Sequence, residues 1–267
     1  MSGHGASSPK RRRGAFVTLV LALAAAGPAL AADLGLAAQG AAGRVVEAID
    51  GDTLRLDDGR TVRLAAIQAP KPPPNPNAAL ERLATRAQET LARLAVDQPV
   101  TLETGSHPTD RYGRTVALVR DPTGRLLQGE LLRAGLARVG DAIDQRAQLP
   151  ELYAAEAEAR TANRGVWALG LFRVRRADAL ARERDGFQIV EAPVRAVEPR
   201  GRALVIALGA TQIELILHVE PTVLRLFRAA AVAPEALIGR TIRVRGWVTH
   251  RGTPTIEIAY PEQIEPL

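Results

Sequence analysis

The chain of 267 residues contains no cysteine, which excludes a disulfide framework, a thiolate zinc site, an iron–sulfur centre and a thiol nucleophile. Aromatic residues make up only 3%, so platforms on which successive nucleic-acid bases could stack are scarce. Lysine is nearly missing too: Lys10 and Lys71 are the only lysines among 35 cations. Arginine, which supplies the rest, makes forked contacts with phosphate that lysine cannot. One apolar run approaches membrane length, Ala15 to Ala26, and it falls short of the about 20 residues a spanning helix needs. It follows Lys10-Arg11-Arg12-Arg13, is broken by Gly27-Pro28, and leads into Ala29-Leu30-Ala31. That order predicts a secretory signal at residues 1–31 with cleavage after Ala31, and a secreted or periplasmic protein with no stable membrane span afterwards. Phe16 sits one place late for a twin-arginine signal, so general secretion is the expected route. The formal charge of +6 includes four leader cations and no leader acids, so it makes no case for a polyanion partner by itself. A hydrophobic fraction of 46% and a charged fraction of 24% are those of a folded protein, and the length suits two domains.

Residues 43–170 read mostly as strands. Val45, Glu47 and Ile49 lead into the turn Asp50-Gly51-Asp52, Thr53 to Asp57 alternates, and Asp57-Asp58-Gly59-Arg60 is a hairpin turn. Thr61 to Ile67 returns as a third strand. Pro70-Lys71-Pro72-Pro73-Pro74-Asn75-Pro76 can join neither sheet nor helix and predicts a stiff loop. Asn77 caps a helix from Ala78 to about Ala95, with Leu80, Leu83, Ala87, Leu91 and Leu94 on one face. Strands at Val100–Glu103 and Thr115–Val119 flank the polar turn Thr109 to Arg114. Helices at Gln128–Ala134 and Pro150–Asn163, the latter with Gly165 as its C-cap, close the unit. Five strands with a helix after the third predict a small closed barrel of oligonucleotide-binding (OB) type. Residues 171–186 read as a linker with some helix. Residues 187–267 repeat the order of three strands, a helix and two strands, which predicts a second, smaller OB-like barrel. The expected class is mainly β, of the α+β kind.

Three motifs of the first unit belong together: Ala48-Ile49-Asp50-Gly51-Asp52-Thr53, then Arg63-Leu64 with Pro70, then Asp110-Arg111-Tyr112-Gly113-Arg114. With Leu131 to Val139 and Asn163-Arg164-Gly165-Val166-Trp167, they make the chain resemble the staphylococcal-nuclease-like (thermonuclease) family over residues 44–167. The resemblance implies a nuclease fold in which Asp52 stands at the calcium position and Arg63 and Arg114 at the phosphate positions. Tyr112, in the same turn as Arg114, joins the substrate-binding set.

The loop after the third strand departs from that pattern. The family has an Asp-Thr-Pro-Glu-like run there, whereas this chain reads Gln68-Ala69-Pro70-Lys71, and no Asp or Glu occurs from Gly59 to Leu80. Gln68 thus stands for the second metal carboxylate, and an amide is the poorer calcium ligand. Lys71 stands for the general base, and an ammonium has no lone pair with which to take water's proton. Calcium is therefore expected to bind weakly. Arg63, Lys71 and Arg114 are expected to form a metal-independent anion pocket, with the ammonium near the place of the metal. An alternative makes Lys71 itself the base. Asp50 reads as a turn aspartate, Arg114 could instead pair with Asp110, and His107 and His218 lack partners at ligand spacing.

The segment after Val139, Gly140-Asp141-Ala142-Ile143-Asp144, is acidic where the family places base-stacking tyrosines. In the second unit Phe227 reads as helix core, Trp247 as barrel core and Tyr260 as an exposed candidate. Arg240, Arg243, Arg245 and Arg251 suggest either a phosphate-tracking stripe or a merely solvated strand face. The sequence thus predicts an exported nuclease-fold protein that binds nucleic acid or another phosphate-containing anion, with weak or absent calcium-dependent cleavage. Two other outcomes stand beside it: an active phosphodiesterase with a rearranged site, and an envelope scaffold whose C-terminal domain binds a protein partner.

Overall fold

A computed structural model describes residues 41–267 apart from 74, 76, 183, 184 and 251, and the described residues fall within one compact unit. The leader assigned to residues 1–31 and the stripe residue Arg251 lie outside the described residues. Strands β1 (Ala41–Asp50), β2 (Thr53–Leu56) and β3 (Thr61–Leu64) form a meander. The β2–β3 hairpin turns at Asp57-Asp58-Gly59-Arg60, where Gly59 takes a φ of 84°. A two-residue strand β4 (Ile67–Gln68) follows, then helix α1 (Ala78–Ala95), whose N-cap Asn77 accepts the Leu80 N–H at 3.0 Å. Leu83, Ala87, Leu91 and Ala95, spaced four apart, bury one stripe of α1 in the core. β5 (Pro99–Thr109) and β6 (Thr115–Arg120) complete a closed barrel ordered β1-β2-β3-β6-β5, with β3 and β6 parallel. Helix α2 (Leu127–Arg133), strand β7 (Arg138–Val139) and helix α3 (Leu149–Thr161) pack outside it.

The segment expected to be a linker carries strand β8 (Val174–Arg176) and a 3₁₀ turn at Ala177–Arg182. β8 runs parallel to β9 (Gly186–Arg200), the first strand of the second barrel. β10 (Ala203–Leu208), β11 (Leu215–Val219), helix α4 (Pro221–Ala229), β12 (Thr241–Thr249) and β13 (Thr255–Ile258) follow. The ring closes through β9-β10-β11-β13-β12 and back to β9, and β14 (Ile264–Pro266) adds to β12. Both barrels place their helix between strands three and four and pair strands three and five in parallel. The protein is mainly β, with two five-stranded OB-like barrels, as the order of elements predicted.

Two glycines from separate motifs hold α2 against the end of α3. The Val166 N–H donates to the Gly135 carbonyl at 2.9 Å, and a β-carbon on Gly165 would lie 2.0 Å from that same oxygen. Gly165 also has a φ of 55°, so its freedom is required twice over. It is not the helix cap that the sequence suggested: α3 ends at Thr161, and Asn163, at a φ of 50°, takes the left-handed turn. Gly165→Ala should cost about 2–4 kcal/mol in urea unfolding, from the strained backbone and the overlap together. A cost below about 0.5 kcal/mol would show that the two backbones are not held so close.

Three second-barrel readings need correction, and one cause accounts for them. On β12, Ile242, Val244 and Val248 point into the barrel, so Arg243, Arg245 and Trp247 share the outer face. That face lies against the first barrel. Arg245 is buried there between Glu156 of α3, at 2.8 Å, and Glu265, at 2.7 Å. Arg243 pairs with Glu191 at 2.5 Å. The expected phosphate stripe or solvated face is, at these two positions, an internal ladder of ion pairs. Trp247, expected in the barrel core, is 63% exposed at the edge of the contact. Tyr260, expected to be exposed, is buried in the first barrel's core cluster, and its hydroxyl donates to the Gly140 carbonyl at 3.3 Å. Arg146 closes the joint with a two-pronged contact to Glu262 at 2.7 and 2.8 Å. Phe227 is buried, as predicted.

Candidate active site and anion-binding cavity

The first turn is built for close approach. A β-carbon on Gly51 would meet the Ala87 and Ala69 methyl groups at 2.5 and 2.8 Å, so only glycine lets the turn press between α1 and the 65–71 loop. This pressure carries Asp52 to complete burial. A buried carboxylate must be satisfied, and both of its oxygens are. Oδ2 accepts the Ala69 N–H at 2.7 Å and faces an Arg63 Nη2 at 3.2 Å. Oδ1 accepts from Lys71 Nζ at 2.6 Å.

The same ammonium stands 2.6 Å from Oδ2 of Asp50. Lys71 thus bridges two carboxylates that the Asp-Gly-Asp turn sets side by side. Burial raises the Asp50 carboxyl, but the Lys71 hydrogen bond and charge, with the Asp52 N–H, outweigh it and hold it below its usual value. Asp50, read from sequence as a plain turn aspartate, belongs to the site. Its i, i+2 spacing to Asp52 was the available sign; the partner that joins them lies on a proline-stiffened loop 21 residues away.

The residues present do not fit the calcium ion that the family resemblance implies. Calcium takes oxygen ligands at 2.3–2.6 Å, and the ammonium already sits at 2.6 Å from one oxygen of each aspartate. The other Asp52 oxygen is committed to the loop. Gln68 lines the neighbouring cavities, and its amide donates to the Ala69 carbonyl at 3.5 Å.

Arg63 and Arg114 are brought together. Both line an open cavity of about 460 Å³ with Gln68, His107, Asp110 and the 141–145 segment. Arg63 leaves the end of β3 and folds back over the turn that follows, where Ala66 has a φ of 62°. It donates Nη2 to the Ile67 carbonyl at 2.7 Å and Nη1 to the Leu64 carbonyl. The guanidinium therefore staples the turn as well as facing the cavity. Burial lowers its pKa, Asp52 opposes that, and the like charge of Arg114 adds to the lowering. Arg114 pairs with Asp110 at 2.7 Å, the alternative that the sequence left open, and lies 5.3 Å from the Tyr112 ring centre. Tyr112 is exposed on that turn. Lys71 is absent from the cavity lining, because its charge is turned to the two aspartates. The structure thus brings the two arginines together and sets the lysine apart from them.

The sequence shows the 141–144 segment to be acidic but not what Asp144 holds. Asp144 accepts from Ser106 Oγ at 2.6 Å and the His107 backbone N–H at 3.0 Å, and the His107 ring Nδ1 lies 3.0 Å from the same carboxylate. Burial raises the Asp144 carboxyl, yet these bonds carry it below the usual range. His218 also finds partners, Glu257 at 2.8 Å and Glu220 at 3.7 Å, because β11 and β13 pair in parallel and set residues 218 and 257 abreast.

Small OB-type barrels that set two arginines at one end of a cleft are suited to phosphodiester ligands. Residues 61–169 match the family model described as staphylococcal nuclease homologue. Two proteins, from Escherichia coli and Escherichia coli O157:H7, each named "Uncharacterized endonuclease", are 31% identical over 135 residues, covering 47% of this chain and 76% of theirs. The "Thermonuclease" of Staphylococcus hyicus is 30% identical over 128 residues, covering 47% of this chain and 75% of its own. The chain belongs to the staphylococcal nuclease family.

Proposed function

We propose that this is an exported nuclease-fold protein that binds the phosphodiester of a nucleic acid, or a related phosphate-containing anion, at the Arg63–Arg114 cavity. Calcium-dependent cleavage is weak or absent. The observation that carries this reading is the Lys71 ammonium, 2.6 Å from both Asp50 and Asp52, in the position a bound cation would need. Lys71 serves as a built-in counter-ion that keeps Asp52 and the 65–71 loop in place, and the arginines supply the anion contacts. In this reading residues 1–31 are a secretory signal, residues 43–170 the nuclease-like domain, 171–186 its connection, and 187–267 the second barrel. The protein is secreted or periplasmic, and among the described residues no helix is long and apolar enough to cross a membrane.

The second reading, an active phosphodiesterase with a rearranged site, is favoured by the names endonuclease and thermonuclease that its relatives carry. The two differ in what calcium does. Fluorescence anisotropy with a labelled single-stranded oligonucleotide in EDTA tests the first. Binding should be present without metal and weaken about tenfold or more in Arg114→Ala, the loss of one charge-assisted contact. An affinity unchanged by that substitution would remove Arg114 from the site.

A further inference from the structure

A second cavity, of about 370 Å³, opens between the barrels beside the first and shares Gln68 and Asp141 with it. Arg138, Phe187, Arg245, Trp247 and Tyr260 help to line it. Two of these are unexplained by packing. Arg138 is only 8% exposed, yet its Nε has no hydrogen-bond partner, and its one bond donates Nη1 to the Val139 carbonyl at 3.0 Å. Among the described residues no carboxylate lies within ion-pair distance of it. Glu156 acts on it only through space, so the buried Nε remains a donor with nothing to bond to, which is costly unless something else satisfies it. Its guanidinium lies flat enough on Phe187 to come 3.4 Å from the ring centre. The second is Trp247, which stays 63% exposed at the cavity although Arg245, its neighbour on the same strand face, is buried.

We propose that this cavity is a nucleotide subsite of the same ligand cleft, in which Trp247 stacks on a base and Arg138 balances an anionic group. The proposal rests on the preceding reading of the first cavity as a phosphodiester site. It supplies what the first barrel lacks, since the 141–144 segment is acidic and carries no aromatic residue. The shared wall makes the two cavities neighbours along one strand, as consecutive nucleotides require. Glu257 also lines the space, but its carboxylate is taken up by His218 at 2.8 Å. A protein partner would explain the exposed indole but not the buried Arg138 Nε left without a bond behind it, so nucleic acid is the better fit.

The test uses the full chain and a single-stranded oligothymidylate, with an abasic sugar–phosphate oligomer of equal length as control. Trp167 is buried, so a change in tryptophan emission on binding reports Trp247. Emission should fall on titration with oligothymidylate and not with the abasic oligomer. Trp247→Ala should abolish that change and weaken oligothymidylate binding about 5- to 150-fold, the range for losing one base–aromatic stack. It should leave abasic binding unaltered. Because Trp247 is exposed, this variant folds even if Arg138→Gln does not. Unaltered emission, with equal affinity in Trp247→Ala and weakened affinity in Arg114→Ala, would overturn the subsite and leave the first cavity standing. Binding that ignores both substitutions would overturn both readings. Binding of a protein that Trp247→Ala abolishes, with oligothymidylate affinity unmoved, would also overturn the subsite.

Discussion

Lys71→Ala is expected to create a calcium response that the native protein lacks. The ammonium lies between one oxygen of Asp50 and one of Asp52, 2.6 Å from each, and removing it leaves two carboxylates facing one empty point. The variant should first lose stability, by about 1–3 kcal/mol, because the buried Asp52 gives up a charged partner while keeping the Ala69 N–H. A cation of calcium's size can then take the vacated place. Two carboxylates make a weak site, with a dissociation constant of about 1 mM. At about 10 mM calcium, mass action would restore roughly 1.4 kcal/mol. At about 2–4 °C per kcal/mol, that raises the melting temperature by about 3–6 °C. Native protein under the same conditions should not shift. Asp50→Asn combined with Lys71→Ala should lose the response, since one carboxylate cannot hold the ion. A calcium shift in native protein, or none in Lys71→Ala, would contradict the placement.

The largest stability loss is expected at Glu156. This fully buried side chain spends one oxygen on the Val139 N–H, at 2.7 Å, and the other on Arg245, at 2.8 Å. Arg160 and Arg138 lie in the same field, and burial lowers the pKa of both, to about 10 at Arg138. Glu156 is the carboxylate that counters them from the first-barrel side. Glu156→Ala strands Arg245 without one of its two acids and frees a strand N–H, a cost of about 3–5 kcal/mol. Thermal melting should show it as a fall of about 6–20 °C. Pairing Glu156→Leu with Arg245→Met should recover much of the loss, since a packed apolar pair asks for no compensation. A cost below about 1 kcal/mol for Glu156→Ala would mean that other contacts carry the joint.

Much of the fold was legible because its signals are local. Asn77 before a four-residue apolar spacing gives α1 its bounds, Asp-Asp-Gly gives the first hairpin, and alternation gives the strands of both barrels. The second barrel's element order followed from the same signs. What could not be read depends on packing between distant segments. Alternation puts Arg243 and Arg245 on one face, as the sequence indicates, and the same parity puts Trp247 there rather than in the barrel core; what covers that face is not written locally. Tyr260 sits near a strand end, a place that suggests exposure until the Gly140 segment is brought over it. At the site, the resemblance named Asp52, Arg63 and Arg114, and the structure sets both arginines on one cavity. The role of Lys71 differs from the anion contact expected of it. A lysine among prolines gives no local hint that it will reach back to Asp50 and Asp52, 21 and 19 residues earlier.

The proposed function has an ammonium in the place of the metal. Its most direct test is hydrolysis of a fluorescent single-stranded oligonucleotide by the native protein in calcium and in EDTA, beside Arg114→Ala. No cleavage that depends on calcium is expected, from a protein that still binds the oligonucleotide in EDTA. Cleavage that requires both calcium and Arg114 would contradict it, and would mean that the ion displaces Lys71 from Asp50 and Asp52.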